Sequence, residues 1–387
     1  MRILLVHNHY QWPGGEDAVF FAERDLLLAN GHDVRTLTVH NERISRMPTV
    51  AVAAATLWSQ DGYRRVKAEI QRHRPDIMHV HNTFPLLSPA VFHAAHAEGV
   101  PVVYTLHNFR LVCPAATLFR EGTGCRDCLG RTVAWPGVAH ACYQGSRLRT
   151  AGVAAMLVLH KSLGTWATKV TRFIVMTEFA RRLLREAAVV PDQRVVVKPH
   201  FVPTDPGIGS GGGGFALFVG RLAREKGLET LFAAWHEVGG LPLKVVGDGP
   251  LAPLVREASA TQPSVEWLGQ RSHAEVLELL GAATVLVFPS PWYETFGLVL
   301  IEAFARGTPV IAARAGGTAE IVEEGKSGLL FEPGDASELA GSLQRMLASP
   351  SAYAYMRHEA RQRYVRAYTA DENHNRLLEI YRSAIAG

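Results

Sequence analysis

Pro203-Thr204-Asp205-Pro206-Gly207-Ile208-Gly209-Ser210-Gly211-Gly212-Gly213-Gly214 interrupts a chain that otherwise alternates short apolar runs with longer amphipathic stretches. A segment this rich in Gly and Pro holds regular structure poorly, so 201–214 reads as a flexible linker. Upstream of it, β-branched and apolar runs recur at Ile3–His7, Asp33–Val39, Asp76–Val80, Val100–Leu106, Arg172–Met176 and Arg194–Lys198. Downstream the rhythm restarts at Phe215–Val219, Leu243–Val246, Val265–Leu268, Thr284–Phe288 and Val310–Ala312. Continuous apolar strands separated by helical patterns, such as Asp17–Ala29, predict parallel sheets covered on both faces.

The expectation is therefore an α/β protein of two doubly wound, Rossmann-like domains facing across a cleft, with ligands at the carboxyl ends of the strands. The N-terminal domain spans residues 1–200 and the C-terminal one 215–365. Helical material over 366–387 exceeds what one such domain needs, and is expected to pack back on the N-terminal domain. A length of 387 residues suits this plan. Forty Lys+Arg against 36 Asp+Glu leave a net charge of only +4, too small a surplus for a general nucleic-acid binder. No apolar run reaches the length of a membrane span, and the N-terminus lacks the form of a signal peptide. A cytoplasmic enzyme is the natural reading.

Three segments carry chemistry. In Phe288-Pro289-Ser290-Pro291-Trp292-Tyr293-Glu294-Thr295-Phe296-Gly297-Leu298-Val299-Leu300-Ile301-Glu302-Ala303, a strand end leads through a loop into an apolar helix starting near Phe296. Backbone N–H groups of Phe296, Gly297 and Leu298 then lack intrahelical partners and can donate to an anion. Glu294 and Glu302 flank them as acceptors for polyol hydroxyls. Glu294 in this position is equally a helix-dipole partner, and Glu302 equally a solvated helix residue. In Leu217-Phe218-Val219-Gly220-Arg221-Leu222-Ala223-Arg224-Glu225-Lys226-Gly227, Arg221 and Lys226 leave a strand end as a fork donor and a point charge, a pairing suited to a diphosphate. In Gln11-Trp12-Pro13-Gly14-Gly15-Glu16-Asp17, adjacent glycines open a strand-to-helix turn to a phosphate or sugar. This turn is not a G-x-G-x-x-G, so a nicotinamide or flavin dinucleotide site is not supported, and no Walker motif occurs in the chain, which removes the standard nucleotide-hydrolase reading.

Taken in order, Gly220-Arg221-x4-Lys226-Gly227, Glu294-x7-Glu302 and Gly307-Thr308-Pro309-Val310-Ile311 resemble the retaining family-4 glycosyltransferases of GT-B fold. The likeness extends to the Gly14-Gly15 turn, Gly31-His32-Asp33-Val34 and Gly316-Gly317-Thr318-Ala319-Glu320-Ile321-Val322. It implies an enzyme that moves a sugar from a nucleoside-diphosphate sugar to a glycan, lipid-linked or small-molecule acceptor, as in polysaccharide biosynthesis. Glu302 would hold the ribose, and Glu294 with the Thr295–Leu298 backbone the donor sugar and diphosphate. Arg221 and Lys226 would neutralise the leaving diphosphate. The resemblance places the strand-end His107, in Val103-Tyr104-Thr105-Leu106-His107-Asn108, at the reacting sugar. It supplies no carboxylate nucleophile, so front-face attack is expected, with no cofactor required. A sugar-nucleotide epimerase and an inactive sugar-nucleotide-binding subunit are the alternatives.

His79 and His81 share a strand face and are weaker acceptor-side candidates; a metal there lacks an evident third ligand. Cys113, Cys125, Cys128 and Cys142 fall within an insertion at about 110–145, a thiolate set suited to a structural zinc or an iron–sulfur centre. Arg147-Leu148-Arg149 and the apolar stretch to Trp166 offer peripheral contact with the inner face of a membrane. An ordinary core-facing helix is the competing reading.

Overall fold

A computed structural model describes residues 1–12 and 14–387. Pro13, in the first glycine-bearing turn, lies outside the described residues. The chain divides into two units: Met1–Leu118, Arg126–Pro199 and Asn373–Gly387 form the first, and Phe119–Cys125 with His200–Glu372 the second.

The first unit is built on a six-stranded parallel sheet of β1 (Arg2–His9), β2 (Asp33–His40), β3 (Ile77–Val80), β4 (Val102–Thr105), β7 (Arg172–Val175) and β8 (Val195–Val197), ordered β2-β1-β3-β4-β7-β8. β1 is buried from Ile3 onward, as an apolar run covered on both faces must be. Its register sets Leu5 opposite Thr36 and His79. One face carries a core of Ile3, Leu5, Phe20, Leu27, Ile77, Val103 and Ile174, closed by Leu377, Ile380, Tyr381 and Ala384 of the helix Ala370–Ala386. Two-residue strands, β5 (Phe119–Arg120) and β6 (Thr123–Gly124), form a small antiparallel hairpin inside the cysteine-bearing insertion.

The second unit repeats the plan. β9 (Ala216–Val219), β10 (Leu243–Val246), β11 (Val265–Gly269), β12 (Val285–Phe288), β13 (Val310–Ala313) and β14 (Gly328–Phe331) run parallel in the order β11-β10-β9-β12-β13-β14. Strand order reverses between β9 and β12, which makes the gap between their carboxyl ends the topological switch point where ligands bind in this class.

The glycine-rich segment is not the flexible linker its composition suggests. Its backbone is bonded into the second unit: Gly209 N donates to Arg306 O, Gly211 N to Gly281 O and Gly213 N to Ala282 O, all at 2.9 Å. Arg306 Nη1 and Arg357 Nη2 donate in turn to Gly207 O (3.1 Å) and Gly209 O (2.6 Å). The glycines serve close approach: a Cβ on Gly209 would stand 2.2 Å from the Gly281 backbone. Apart from the excursion of Phe119–Cys125, the chain passes between the units at the crossings Pro199–His200 and Glu372–Asn373. Asn373 Nδ2 ties them together by donating to Pro199 O at 3.2 Å.

The apolar helix Arg147–Ser162 turns Val153, Met156 and Leu157 into the first unit against Leu57, Phe84 and Tyr143. Of its apolar residues, Leu148 stays outward, 81% exposed between Arg147 and Arg149. No helix among the described residues is long and apolar enough to cross a membrane.

Candidate functional site

In the second unit the switch point gathers the residues singled out from sequence. Arg221 and Lys226 leave the end of β9, and Glu294 lies in the loop after β12. Lys226 Nζ is ion-paired with Glu294 Oε1, and Arg221 with Glu225. Ser290 Oγ, itself buried, donates to Glu225 O at 2.7 Å and lies 3.2 Å from Glu294 Oε1. The Lys226 ammonium sits 5.1 Å from the Trp292 ring centroid and 5.7 Å from that of Phe288, a cation–π arrangement. Trp292 Nε1 is buried with no acceptor among the described residues. Such an orphan donor is costly unless a ligand satisfies it. Glu225, Ser290 and Trp292 were not singled out from sequence; their neighbours in the two motifs were the only signal for them.

The helix after this loop starts at Leu298, two residues later than the sequence suggests, and runs to Ala305. Gly297 caps it at φ +94°, a conformation that strains any residue with a Cβ. Phe296, 2% exposed, anchors the turn with its ring against His200 and Tyr368. Gly317 N donates to Glu294 O at 2.9 Å, bringing the loop after β13 onto the same end of the sheet. Thr295 is half-buried beside them. Glu302 projects from the helix, 3.8 Å from His273 Nδ1. Burial pushes its carboxyl above the ordinary range and His273 opposes this.

In the first unit, β3 and β4 end side by side and deliver His81 and His107 together, with His81 Nδ1 3.0 Å from His107 Nε2 and the rings 5.2 Å apart. They line a pocket with Thr83, Phe84, Asn108 and Arg110. Arg110 packs its guanidinium over Phe84 at 4.2 Å. Gly14 caps the helix Gly15–Ala29 and its N–H donates to Asp17 Oδ2 at 3.1 Å. Next to them is Glu16, which accepts from Tyr10 OH at 3.0 Å and lies 3.4 Å from Asn108 Nδ2. Burial pushes its carboxyl up to about 8. Glu16 was read from sequence only as an acidic residue at a helix start.

Two buried sets of metal-capable side chains occur among the described residues: His7, His9 and Asp17, and Glu23, His79 and His81. In the first, Asp17 Oδ1 lies 2.9 Å from His7 Nε2 and 2.8 Å from His9 Nδ1, the spacing of N–H···O bonds. In the second, the cation beside Glu23 is the Lys198 ammonium, 2.6 Å from Oε1. Glu23 is thus the third ligand that the sequence did not reveal for His79 and His81, and it is already neutralised. None of the four cysteines is in a disulfide, and no metal-capable set among the described residues includes one. Cys125 groups with the second unit, whereas Cys113, Cys128 and Cys142 belong to the first.

Family models agree with this architecture. Residues 13–206 match the model described as Glycosyltransferase Family 4, and residues 209–363 the one described as Glycosyl transferases group 1. The chain belongs to glycosyltransferase family 4. Among curated relatives of this family-4 chain, the sulfoquinovosyl transferase of Arabidopsis thaliana is 36% identical over 34% of the chain and 26% of its own length. Glycogen synthase of Mycobacterium tuberculosis is 33% identical over 44% of the chain and 43% of its own length. D-inositol 3-phosphate glycosyltransferase of Corynebacterium urealyticum is 36% identical over 43% and 42%. The matches thus span less than half the length of these relatives. The solved structure of sucrose-phosphate synthase from Thermosynechococcus elongatus superposes with a TM-score of 0.74 over all of both chains at 20% identity. Anabaena HepE in complex with UDP gives 0.69 at 19% identity, over 99% of this chain and 100% of its own. At that identity these likenesses establish the fold, GT-B.

Proposed function

We propose that this family-4 chain transfers a glycosyl unit from a nucleoside-diphosphate sugar to a hydroxyl acceptor with retention of configuration. One observation carries the reading. Arg221, Lys226, Glu294 and the Phe296–Leu298 backbone converge on the switch point of one Rossmann-like sheet, where paired cations and a helix start suit a diphosphate. Lys226 is held by Glu294, and Arg221 by Glu225; a diphosphate would exchange with these carboxylates for the cations. Trp292 Nε1 would donate to the same ligand, and Glu302 would accept from the ribose hydroxyls. Front-face chemistry follows from the absence of a carboxylate nucleophile in the family pattern. The acceptor oxygen bonds to the anomeric carbon as the bond to the diphosphate breaks, and a diphosphate oxygen takes the acceptor's proton. The family membership sets aside the epimerase reading, and the intact set of charged residues argues against an inactive binder.

His107 would contact the reacting sugar, and the adjacent pocket in the first unit would take the acceptor. A nucleotide-sugar donor is consistent with a reaction in the cytoplasm, and Leu148 between Arg147 and Arg149 suits peripheral contact with a membrane bearing a lipid-linked acceptor. Calorimetry with UDP, GDP, ADP and TDP tests the donor class. One of them is expected to bind, and Glu302→Ala should weaken that binding and raise the donor KM. Lys226→Ala should lower turnover by about 10²–10³, the usual cost of removing one charge-stabilising donor. Full turnover in that variant would sink the reading.

A further inference from the structure

Beneath His107 lies a buried chain of polar groups that the proposed reaction leaves without a role. Glu23 projects from the helix Gly15–Ala29, His81 follows β3, and Lys198 follows β8; each is no more than 2% exposed. Lys198 Nζ donates to Glu23 Oε1 at 2.6 Å. The other carboxylate oxygen, Oε2, faces His81 Nε2 at 3.4 Å, an ion-pair distance without hydrogen-bond geometry, the ring nitrogen being buried with no hydrogen-bond partner among the described residues. On the far side of the ring, His81 Nδ1 meets His107 Nε2 at 3.0 Å. His79 also lies near Glu23, with Nδ1 3.9 Å from Oε2, but its two nitrogens are engaged by Tyr381 OH at 2.7 Å and Thr105 Oγ1 at 2.8 Å.

These contacts decide where the protons sit. Burial first, and then the neighbouring imidazoles and Lys198, lower the basicity of His81 and keep it neutral, so its ring offers one N–H and one lone pair. A carboxylate oxygen opposite Nε2 favours the proton there, which leaves Nδ1 as an acceptor. His107 Nε2 must then carry the hydrogen that His81 Nδ1 receives. With that hydrogen on Nε2, the lone pair of a neutral imidazole at His107 would lie on Nδ1.

We infer that Glu23, acting through His81, is a positioning residue for His107 that fixes the tautomer in which His107 Nδ1 accepts a hydrogen bond from a substrate hydroxyl. This deepens the proposed function and rests on it, since the substrate is the sugar of that reaction. Lys198 lets the carboxylate remain charged in a buried site without drawing the second oxygen away from His81. The ligand selected is a hydroxyl donor: a carbonyl or phosphate oxygen would face a lone pair and be rejected, so the device distinguishes a sugar hydroxyl from the diphosphate.

Nitrogen NMR of the full chain labelled at histidine reads the tautomer directly and without substrate. The expected pattern is a protonated Nε2 and an unprotonated Nδ1 on neutral His107, with the same arrangement on His81. In Glu23→Gln, the amide oxygen turns to Lys198 and its NH₂ to His81, so both imidazoles should exchange their protonated nitrogens. Its kcat should then fall about 10- to 100-fold, the scale of one lost hydrogen bond to a charged or reacting group, while nucleoside-diphosphate affinity stays unchanged. A wild-type His107 protonated on Nδ1 would overturn the inference even if the variant did not fold. So would an unaltered pattern in folded Glu23→Gln. Wild-type protein with the expected tautomer but no sugar transfer would refute the functional reading and leave the positioning of His107 supported.

Discussion

Glu16 illustrates how much one carboxyl can be changed by its surroundings. Its backbone sits in the first turn of a helix, where a negative charge is normally welcome, yet burial pushes its side chain up to about 8. Between its ordinary value of 4.5 and about 8, the unfolded chain has released a proton that the folded chain still holds. Stability must therefore fall as pH rises across that window and level off above it. Glu16→Gln keeps the shape and removes the titration. Its melting temperature should match the wild type near pH 4 and exceed it near pH 9. A difference independent of pH would show that the carboxyl titrates normally. This environment could not be read from Gly14-Gly15-Glu16-Asp17, because it depends on Tyr10 and on Asn108, which lies after β4. Arg221, Lys226 and Glu294 were legible because strand-end placement follows from hydrophobic period alone. Their partners Glu225 and Ser290 were hidden because an ion pair or hydroxyl bond leaves no pattern along the chain.

At the scale of elements, the segment Gly207–Gly214 shows where composition misleads. Glycine weakens regular structure, but it also lets one backbone lie against another, and here that second property prevails. Gly209→Ala should destabilise the second unit by about 1–3 kcal/mol, the usual cost of forcing atoms into a packed site, seen as a lower urea midpoint. A midpoint at or above the wild type would mean that the segment detaches freely. Strands were read well wherever apolar residues run together, as at β10, which begins and ends where its period does. β14, Gly328–Phe331, escaped notice because four residues between Gly325 and Gly334 resemble a turn region. The hairpin Phe119–Gly124 was missed for a related reason: two-residue strands have no period to detect.

Across the whole molecule, the helix Ala370–Ala386 follows the second unit in sequence and completes the first in space. Leu377, Ile380 and Tyr381 are buried in the first unit's core, and such side chains contribute about 1.5–3 kcal/mol each. Together they approach the net stability of a typical domain, about 5–15 kcal/mol. A chain ending at Glu372 should therefore lose cooperative unfolding of the first unit while the second still binds the nucleoside diphosphate. Calorimetric scanning and titration of that shortened chain separate the two; an unchanged pair of thermal transitions would show the helix to be dispensable.

The same helix sets the order of events during synthesis. Domains ordinarily fold as they leave the ribosome, the earlier one first. Here the earlier half must wait, its sheet lacking a cover until residues 373–387 emerge, while the half translated second already has every strand and helix it needs. A nascent chain from which residues 373–387 had not yet emerged would carry a finished second unit and an unfinished first unit still in need of chaperone protection.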